Sequence, residues 1–281
     1  MDIKHRISFN MDDKRIVSVL LEMGIDTKVV ELPGNGGNLI TILIYESDPN
    51  WDKTVKLISN VKHFVVYGEG DQYETLFSNN EVRNAEWLRL ISNFEQGYPQ
   101  PKALWPLKQQ SYEILCPKCA IYNQTKPMRL AKEPHLGKKS FMSLIWTNEL
   151  FCTSQAFQGL AEMNARGYEA WDAVINKTDQ VLEKVHQLFI PNITSPGVLG
   201  KKDLQGINCP ACGTIKYYPH MSGVMRIKRE AFMPNTDFLL THEWFGHGLL
   251  AWREILVSNR VAGLILDQVW QGVRFKVVEV V

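Results

Sequence analysis

Alternating and helical patterns of apolar residues follow one another in the first seventy residues. A period-two pattern from Ile3 to Phe9 predicts a strand, and apolar residues at helical spacing from Ile16 to Met23 predict a helix. Strands are predicted at 27–32 and 39–45 around a turn at 33–37, and a short helix from Trp51 precedes a strand at 63–67. The order βαββαβ predicts a ferredoxin-like α+β domain.

A third helix is predicted after Ser78, which forms a capping box with Glu81. Its apolar face would run from Val82 to Ile91, and Gly97 would end it. Three prolines between Gly97 and residue 110 predict a linker. The boundary is placed near residue 105, which divides the chain into domains 1–105 and 106–281.

The second half contains an internal duplication. Residues 150–174 and 255–280 each read as strand, serine N-cap, short helix, glycine C-cap and strand. Ser154 and Ser258 are the predicted N-caps, and each copy lies C-terminal to one pair of cysteines. The pattern predicts an internally duplicated α+β domain.

Four of the five cysteines form two short pairs, Cys116-Pro-Lys-Cys119 and Cys209-Pro-Ala-Cys212. A C-x-x-C turn directs two sulfurs at one ion, and a closed zinc site takes four ligands, so the pairs predict one structural Zn²⁺ site. Closing the loop of about 90 residues between the pairs costs only about (3/2)RT ln n, which metal binding offsets. Zinc would then clasp the two halves of the domain. The alternatives are a redox dithiol, although such motifs normally open a helix, and two pairs that serve unrelated purposes.

Composition narrows the choice of partner and compartment. With 31 basic and 30 acidic residues, the formal charge of +1 gives no electrostatic reason to expect nucleic acid, an anionic membrane or an acidic substrate. An odd number of cysteines arranged in close pairs fits metal binding in a reducing compartment. No signal-peptide pattern and no apolar run of membrane-spanning length is found, so a cytoplasmic protein is expected.

Two further features invite a chemical interpretation. Cys152 lies in an apolar, strand-like run and is expected to be a buried small hydrophobe. His242, Glu243 and His247 resemble the H-E-x-x-H metalloprotease motif, but the histidines are five residues apart and would not share one helical face. No nucleophile–base pair or cofactor cradle is recognisable, so the protein is not expected to be an enzyme.

The order of motifs from residue 110 to 281 resembles the bacterial double-CXXCG motif immunity proteins. The resemblance rests on the two C-P-x-C knuckles, the strand-Ser-helix-Gly-strand units, Asp237-Phe238, Ile255-Leu-Val-Ser258 and the tail from Gly272. It implies a non-enzymatic antidote that binds a cognate protein toxin, and it carries over Cys116, Cys119, Cys209 and Cys212 as metal ligands. Ala120 departs from the glycine that follows the first knuckle in the family.

The resemblance does not cover the N-terminal segment, and it identifies no residue that contacts a toxin. A zinc-ribbon protein that binds nucleic acid or regulates another protein is the alternative from another class. That alternative predicts affinity for DNA or RNA that falls steeply with salt.

Overall fold

The computed structural model describes residues 1–11, 14–31, 38–59, 72–97, 110–145, 149–200, 204–221 and 223–281. They form two units, one of Met1–Ser78 with Met221–Gly223 and one of Asn79–His220 with Val224–Val281. The division at Ser78 lies before the boundary near residue 105 that the sequence suggests.

The first unit contains a four-stranded sheet and two helices. Its elements are β1 (Asp2–Met11), α1 (Lys14–Glu22), β2 (Asp26–Glu31), β3 (Asn38–Tyr45), α2 (Trp51–Ser59) and β4 (Gln72–Leu76). The strands lie in the order β2-β3-β1-β4, and every pair is antiparallel. These bounds agree with the predicted elements up to residue 59. The predicted turn at 33–37 and strand at 63–67 lie outside the described residues.

Alternation along β3 builds the core of this unit. Ile40, Ile42 and Ile44 are fully buried, and they share a cluster with Leu20 of α1 and Ile58 of α2. Burying each such side chain stabilises the fold by about 1.5 to 3 kcal/mol before entropy is subtracted. The period-two pattern therefore determines which face of the sheet the helices cover.

The helix predicted from Ser78 to Gly97 is wrong beyond its first turns. Only α3 (Asn79–Asn84) is helical, and residues 87–92 form the strand β5 (Trp87–Ser92). Leu88 fits a helical face together with Ile91 and an alternating pattern together with Leu90, but β5 has strand neighbours on both sides and is buried at its first four residues. Tertiary pairing therefore overrides the helical spacing. It also places this segment with the second unit.

The second unit carries most of the strands. From β6 to β13 they are Tyr112–Cys116, Ile121–Gln124, Arg129–Leu130, Phe141–Ser143, Leu150–Thr153, Glu169–Trp171, Val174–Ile175 and Val185–Phe189. From β14 to β21 they are Val198–Leu199, Gly206–Asn208, Ile215–Tyr217, Met225–Ile227, Phe238–Leu240, Trp244–Phe245, Ile255–Ser258 and Val273–Val280. The helices α4 (Ser154–Glu162) and α5 (Asn259–Asp267) follow β10 and β20.

The two larger sheets of this unit have the strand orders β11-β13-β10-β9 and β14-β17-β21-β5-β20-β18. In each sheet one strand, β13 or β5, separates the strand before a helix from the strand after it. Cys152 lies fully buried in β10, as the sequence predicts. Strands far outnumber helices in the described part of the chain, which is an α+β protein.

The two helices begin with the same geometry. The N-cap residues are Thr153 (φ −67°, ψ 158°) and Ser258 (φ −68°, ψ 160°), so the predicted N-cap Ser154 is instead the first residue of α4. After each helix one residue has a left-handed backbone, Asn164 and Val269, both at φ 53°. The number of residues from Thr153 to Ser258 is the same as the number from Asn164 to Val269. The sequence-based alignment of the two copies is therefore shifted by one residue at its helix starts.

Within the described ranges, no helix has the length and apolar character needed to cross a membrane.

Candidate metal centre

Each cysteine pair lies at the turn of a β-hairpin. The first pair closes the hairpin of β6 and β7, and the second closes the hairpin of β15 and β16. Pro117 and Pro210 follow the first cysteine of each pair, where the chain turns. Neither pair opens a helix, so neither has the local setting of a redox C-x-x-C motif.

The two hairpin turns bring the four predicted cysteine ligands together. All four sulfurs lie within 4.8 Å of one another, and the cysteines are free rather than disulfide-bonded. The Sγ atoms of Cys116 and Cys209 are 3.9 Å apart, and those of Cys119 and Cys212 are 3.7 Å apart. Four sulfurs at about 2.3 Å from a central zinc form a tetrahedron with edges of about 3.8 Å. The cluster therefore has the donors and the spacing to hold a metal ion.

The backbone of the two knuckles is the same after the second cysteine. Ala120 has φ 59° and Gly213 has φ 72°, both in the left-handed region. The N–H of Ala120 donates to the carbonyl of Cys116 at 2.8 Å, and that of Gly213 donates to the carbonyl of Cys209 at 2.9 Å. Each knuckle is thus closed by one backbone hydrogen bond, although only the second has the glycine that this conformation favours.

The cluster has a buried side and an open side. Three of its sulfur-bearing residues are buried, while Cys212 is exposed. The buried side packs against Ile121, Trp244 and Ala251. A metal ion would therefore reach the site past Cys212.

Two of the thiols have shifted pKa values. Burial raises the pKa of Cys119 to about 12. Hydrogen bonds from the side chain and backbone of Thr214 lower the pKa of the Cys212 thiol to about 6. Cys212 is therefore ionised at neutral pH far more readily than Cys119. Because thiolates are the form that binds metal, we expect binding to begin there and to release protons from the buried cysteines.

Lys216 is a structural member of the site that the sequence analysis missed. Its Nζ donates hydrogen bonds to the carbonyls of Cys119 (2.9 Å), Gly248 (2.6 Å) and Leu250 (3.0 Å). The residue is buried, and burial lowers the pKa of its ammonium group. Four thiolates around a divalent metal ion would carry two net negative charges, so a buried cation beside them would stabilise the occupied site. The one signal in the sequence is that Lys216 lies in β16, between Ile215 and Tyr217, on the hairpin that carries the second cysteine pair.

The segment that resembles a metalloprotease motif has a structural role instead. It is not helical, because Trp244–Phe245 forms β19. The Oε1 of Glu243 accepts the backbone N–H groups of Gly197 (2.8 Å) and Val198 (3.0 Å). Over the described residues, the four cysteines are the one group of histidine, cysteine and acidic side chains with metal-binding spacing.

No model of a known protein family matches the sequence, and no curated protein matches it either.

Proposed function

We propose that this chain is an immunity protein, which binds a cognate bacterial toxin and neutralises it by protein–protein contact. The observation that carries the proposal is the joining of two hairpin knuckles into one four-cysteine cluster, in the motif order of the double-CXXCG immunity proteins. A protein of this kind acts through surface complementarity and needs no catalytic centre. Its expected location is the reducing cytoplasm, where thiolate ligands persist.

We further propose that the metal is a structural Zn²⁺ held by Cys116, Cys119, Cys209 and Cys212. Four thiolates saturate tetrahedral zinc and leave no open position for a substrate, which is the pattern of a structural site. The ion would clasp two hairpins that are far apart in the sequence. The free energy of binding zinc to such sites, on the order of 10 kcal/mol, contributes directly to folding.

For the first unit, we infer a ferredoxin-like arrangement. The order of elements along the chain, βαββαβ, and the antiparallel strand order β2-β3-β1-β4 support this inference. In a split βαβ fold the third strand lies between the first two, as β3 does here. The part that this unit takes in binding a toxin is left open by the resemblance.

We also infer that the second unit is internally duplicated. One strand separates the strands before and after the helix in each copy, and each copy also accepts two backbone hydrogen bonds from residues that lie N-terminal to the other copy. The carbonyl of Arg166 in the first copy accepts the N–H groups of Asp237 (2.8 Å) and Phe238 (3.0 Å). In the second copy the carbonyl of Gln271 accepts those of Ser140 (2.8 Å) and Phe141 (3.0 Å). Such an exchange is expected when two equivalent halves fold together.

Binding and protection test the immunity function. The purified chain should bind the purified product of the neighbouring toxin gene, and deletion of its gene should make cells sensitive to that toxin. A catalytically dead toxin variant serves as the control, because it should bind equally well without affecting the deletion strain. Absence of both binding and protection would refute the proposal. Tight, salt-sensitive binding to DNA or RNA instead would support the nucleic-acid alternative.

A further inference from the structure

A groove of about 380 Å³ lies in the second unit beside the first cysteine hairpin. It is lined by residues 122–125 of the hairpin, by Glu149 and Leu150, by residues 188–191 and Ile193, and by Leu240, Trp244, Trp252, Arg253 and Ile255. Most of the lining is apolar or aromatic. Such a concave surface fits the apolar side chains of a bound ligand or polypeptide.

One wall of the groove is the edge of a strand. Four consecutive residues, Tyr122 to Thr125, line it, although side chains on a strand alternate between its faces. The groove therefore contacts the edge of β7 and not only one face. In the described structure β7 pairs only with β6. Its other edge has no strand partner there.

The hydrogen-bonding groups on this edge can be assigned from the pairing. The N–H of Thr125 donates to the carbonyl of Ser111 at 2.9 Å, which makes these two residues a hydrogen-bonded pair of the hairpin. Along an antiparallel strand, residues whose N–H and C=O face the partner strand alternate with residues whose groups face away. Thr125 and Asn123 face β6, so the N–H and C=O of Gln124 and Tyr122 point away from β6. An extended chain could pair with them.

Arg253 places a positive charge in the groove. Its guanidinium lies over the ring of Trp244 at 4.3 Å, and Nη1 donates to the carbonyls of Thr241 (2.8 Å) and His242. Among the described residues its Nε and Nη2 have no hydrogen-bond acceptor. Burial lowers the pKa of the guanidinium, although the charge of the Glu243 carboxylate acts on it and opposes this shift. A partly buried guanidinium with two free donors is complementary to a carboxylate.

We propose that this groove binds an extended segment of the partner protein, which adds a strand to β7 and places the carboxylate of one acidic residue on Arg253 rather than beside Glu149, which also lines the groove. The segment's backbone pairs with Tyr122 and Gln124, and its apolar side chains pack against Trp252 and the neighbouring aliphatic wall. Backbone pairing supplies affinity in such complexes, and the side-chain contacts supply specificity. This inference rests on the proposed function and specifies its binding surface.

Gln124→Pro tests the strand pairing. Proline removes the outward N–H of residue 124, and it is tolerated at strand edges because no inward hydrogen bond is lost. Gln124→Ala keeps the N–H and is the matched control. Binding of the purified neighbouring gene product should weaken about tenfold or more in Gln124→Pro and change less than about threefold in Gln124→Ala. Metal content and melting temperature report whether each variant is folded.

Arg253→Gln tests the charge and remains informative if Gln124→Pro does not fold. Binding should weaken about tenfold or more, and less steeply with salt than in the parent protein. Lys177→Gln, which removes a charge from an exposed residue outside the groove, should bind like the parent. Unchanged affinity in either folded groove variant would overturn the inference and leave the immunity function intact. No binding by the parent chain would refute both.

Discussion

Ala120 and Gly213 have the same left-handed backbone at equivalent positions of two separate hairpins. Each follows the second cysteine of its pair, and each closes its knuckle by donating to the carbonyl of the first cysteine. An L-residue with a side chain pays roughly 1 to 2 kcal/mol for this conformation, whereas glycine does not. The four-cysteine cluster therefore requires this turn geometry in both knuckles, even at Ala120, where the residue type does not favour it.

Gly213→Ala should lower the free energy of unfolding by about 1 kcal/mol. A Cβ at residue 213 would meet no atom within 4 Å, so backbone strain is the only cost. Gly213→Asn should cost less, because asparagine tolerates the left-handed region better than alanine. Denaturant unfolding of both variants with metal bound measures the difference. Equal stability of all three proteins would contradict this explanation.

Lys216→Met should destabilise the protein by about 1 to 3 kcal/mol, because the buried carbonyl of Cys119 and two partly buried carbonyls lose their donor and methionine cannot replace it. Thermal or denaturant unfolding gives the loss. Lys177→Met, at an exposed position, should stay within about 0.5 kcal/mol of the parent. If Lys216→Met were as stable as its control, the carbonyl contacts would not contribute to the fold.

Gly272→Ala should destabilise the fold severely, by more than about 3 kcal/mol. Its φ is 105°, and a Cβ would lie 1.9 Å from the carbonyl oxygen of Phe141. Gly263→Ala, inside α5 with open space around the added Cβ, should be neutral or slightly stabilising. Melting temperatures compare the two variants. Equal effects would contradict the close approach between the turn before β21 and the strand β9.

His220 should make stability depend on pH. Burial, together with the charges of Arg89 and Lys276, lowers the pKa of His220 to about 4, although Glu254 opposes the shift. The unfolded chain therefore binds the proton more readily than the folded chain between about pH 6.5 and 4. Stability present at neutral pH should fall by about 1 to 3 kcal/mol as the pH drops through that window.

Unfolding at several pH values measures this effect as a difference between proteins, because carboxylates also titrate at low pH. His220→Gln should show a shallower loss between pH 6.5 and 4 than the parent. His135→Gln, a change at an exposed histidine, should retain the parent profile. A parent-like slope in His220→Gln would assign the pH dependence to other groups.

Local signals predicted much of the first unit. Alternation in β3 and helical spacing in α1 and α2 each favour one structure, so the elements up to Ser59 agree with the sequence-based assignment. The segment from Leu88 to Ile91 fits both the helical and the alternating spacing of apolar residues. Only its pairing with β20 and β21 decides between them. Such pairing depends on residues far away in the chain, and the local pattern does not encode it.

In the candidate metal site, too, local features can be predicted from the sequence and long-range contacts cannot. The four cysteines are visible in the sequence because C-x-x-C spacing directly encodes the chemistry of a metal ligand. Lys216 is not visible, since its three carbonyl partners are contributed by backbone atoms of other segments. The groove beside β7 is equally hidden, because its walls come from separate strands and loops.

The central claim of the metal site is that two cysteine pairs share one ion. Metal analysis of protein purified under reducing conditions tests it most directly, with Cys116→Ser and Cys209→Ser as variants and Cys152→Ala as the control. If the two pairs share one ion, we expect one zinc per chain in the parent and in Cys152→Ala, and loss of nearly all zinc in Cys116→Ser and in Cys209→Ser. A parent without bound metal, or a variant that keeps its full zinc content, would contradict the shared site.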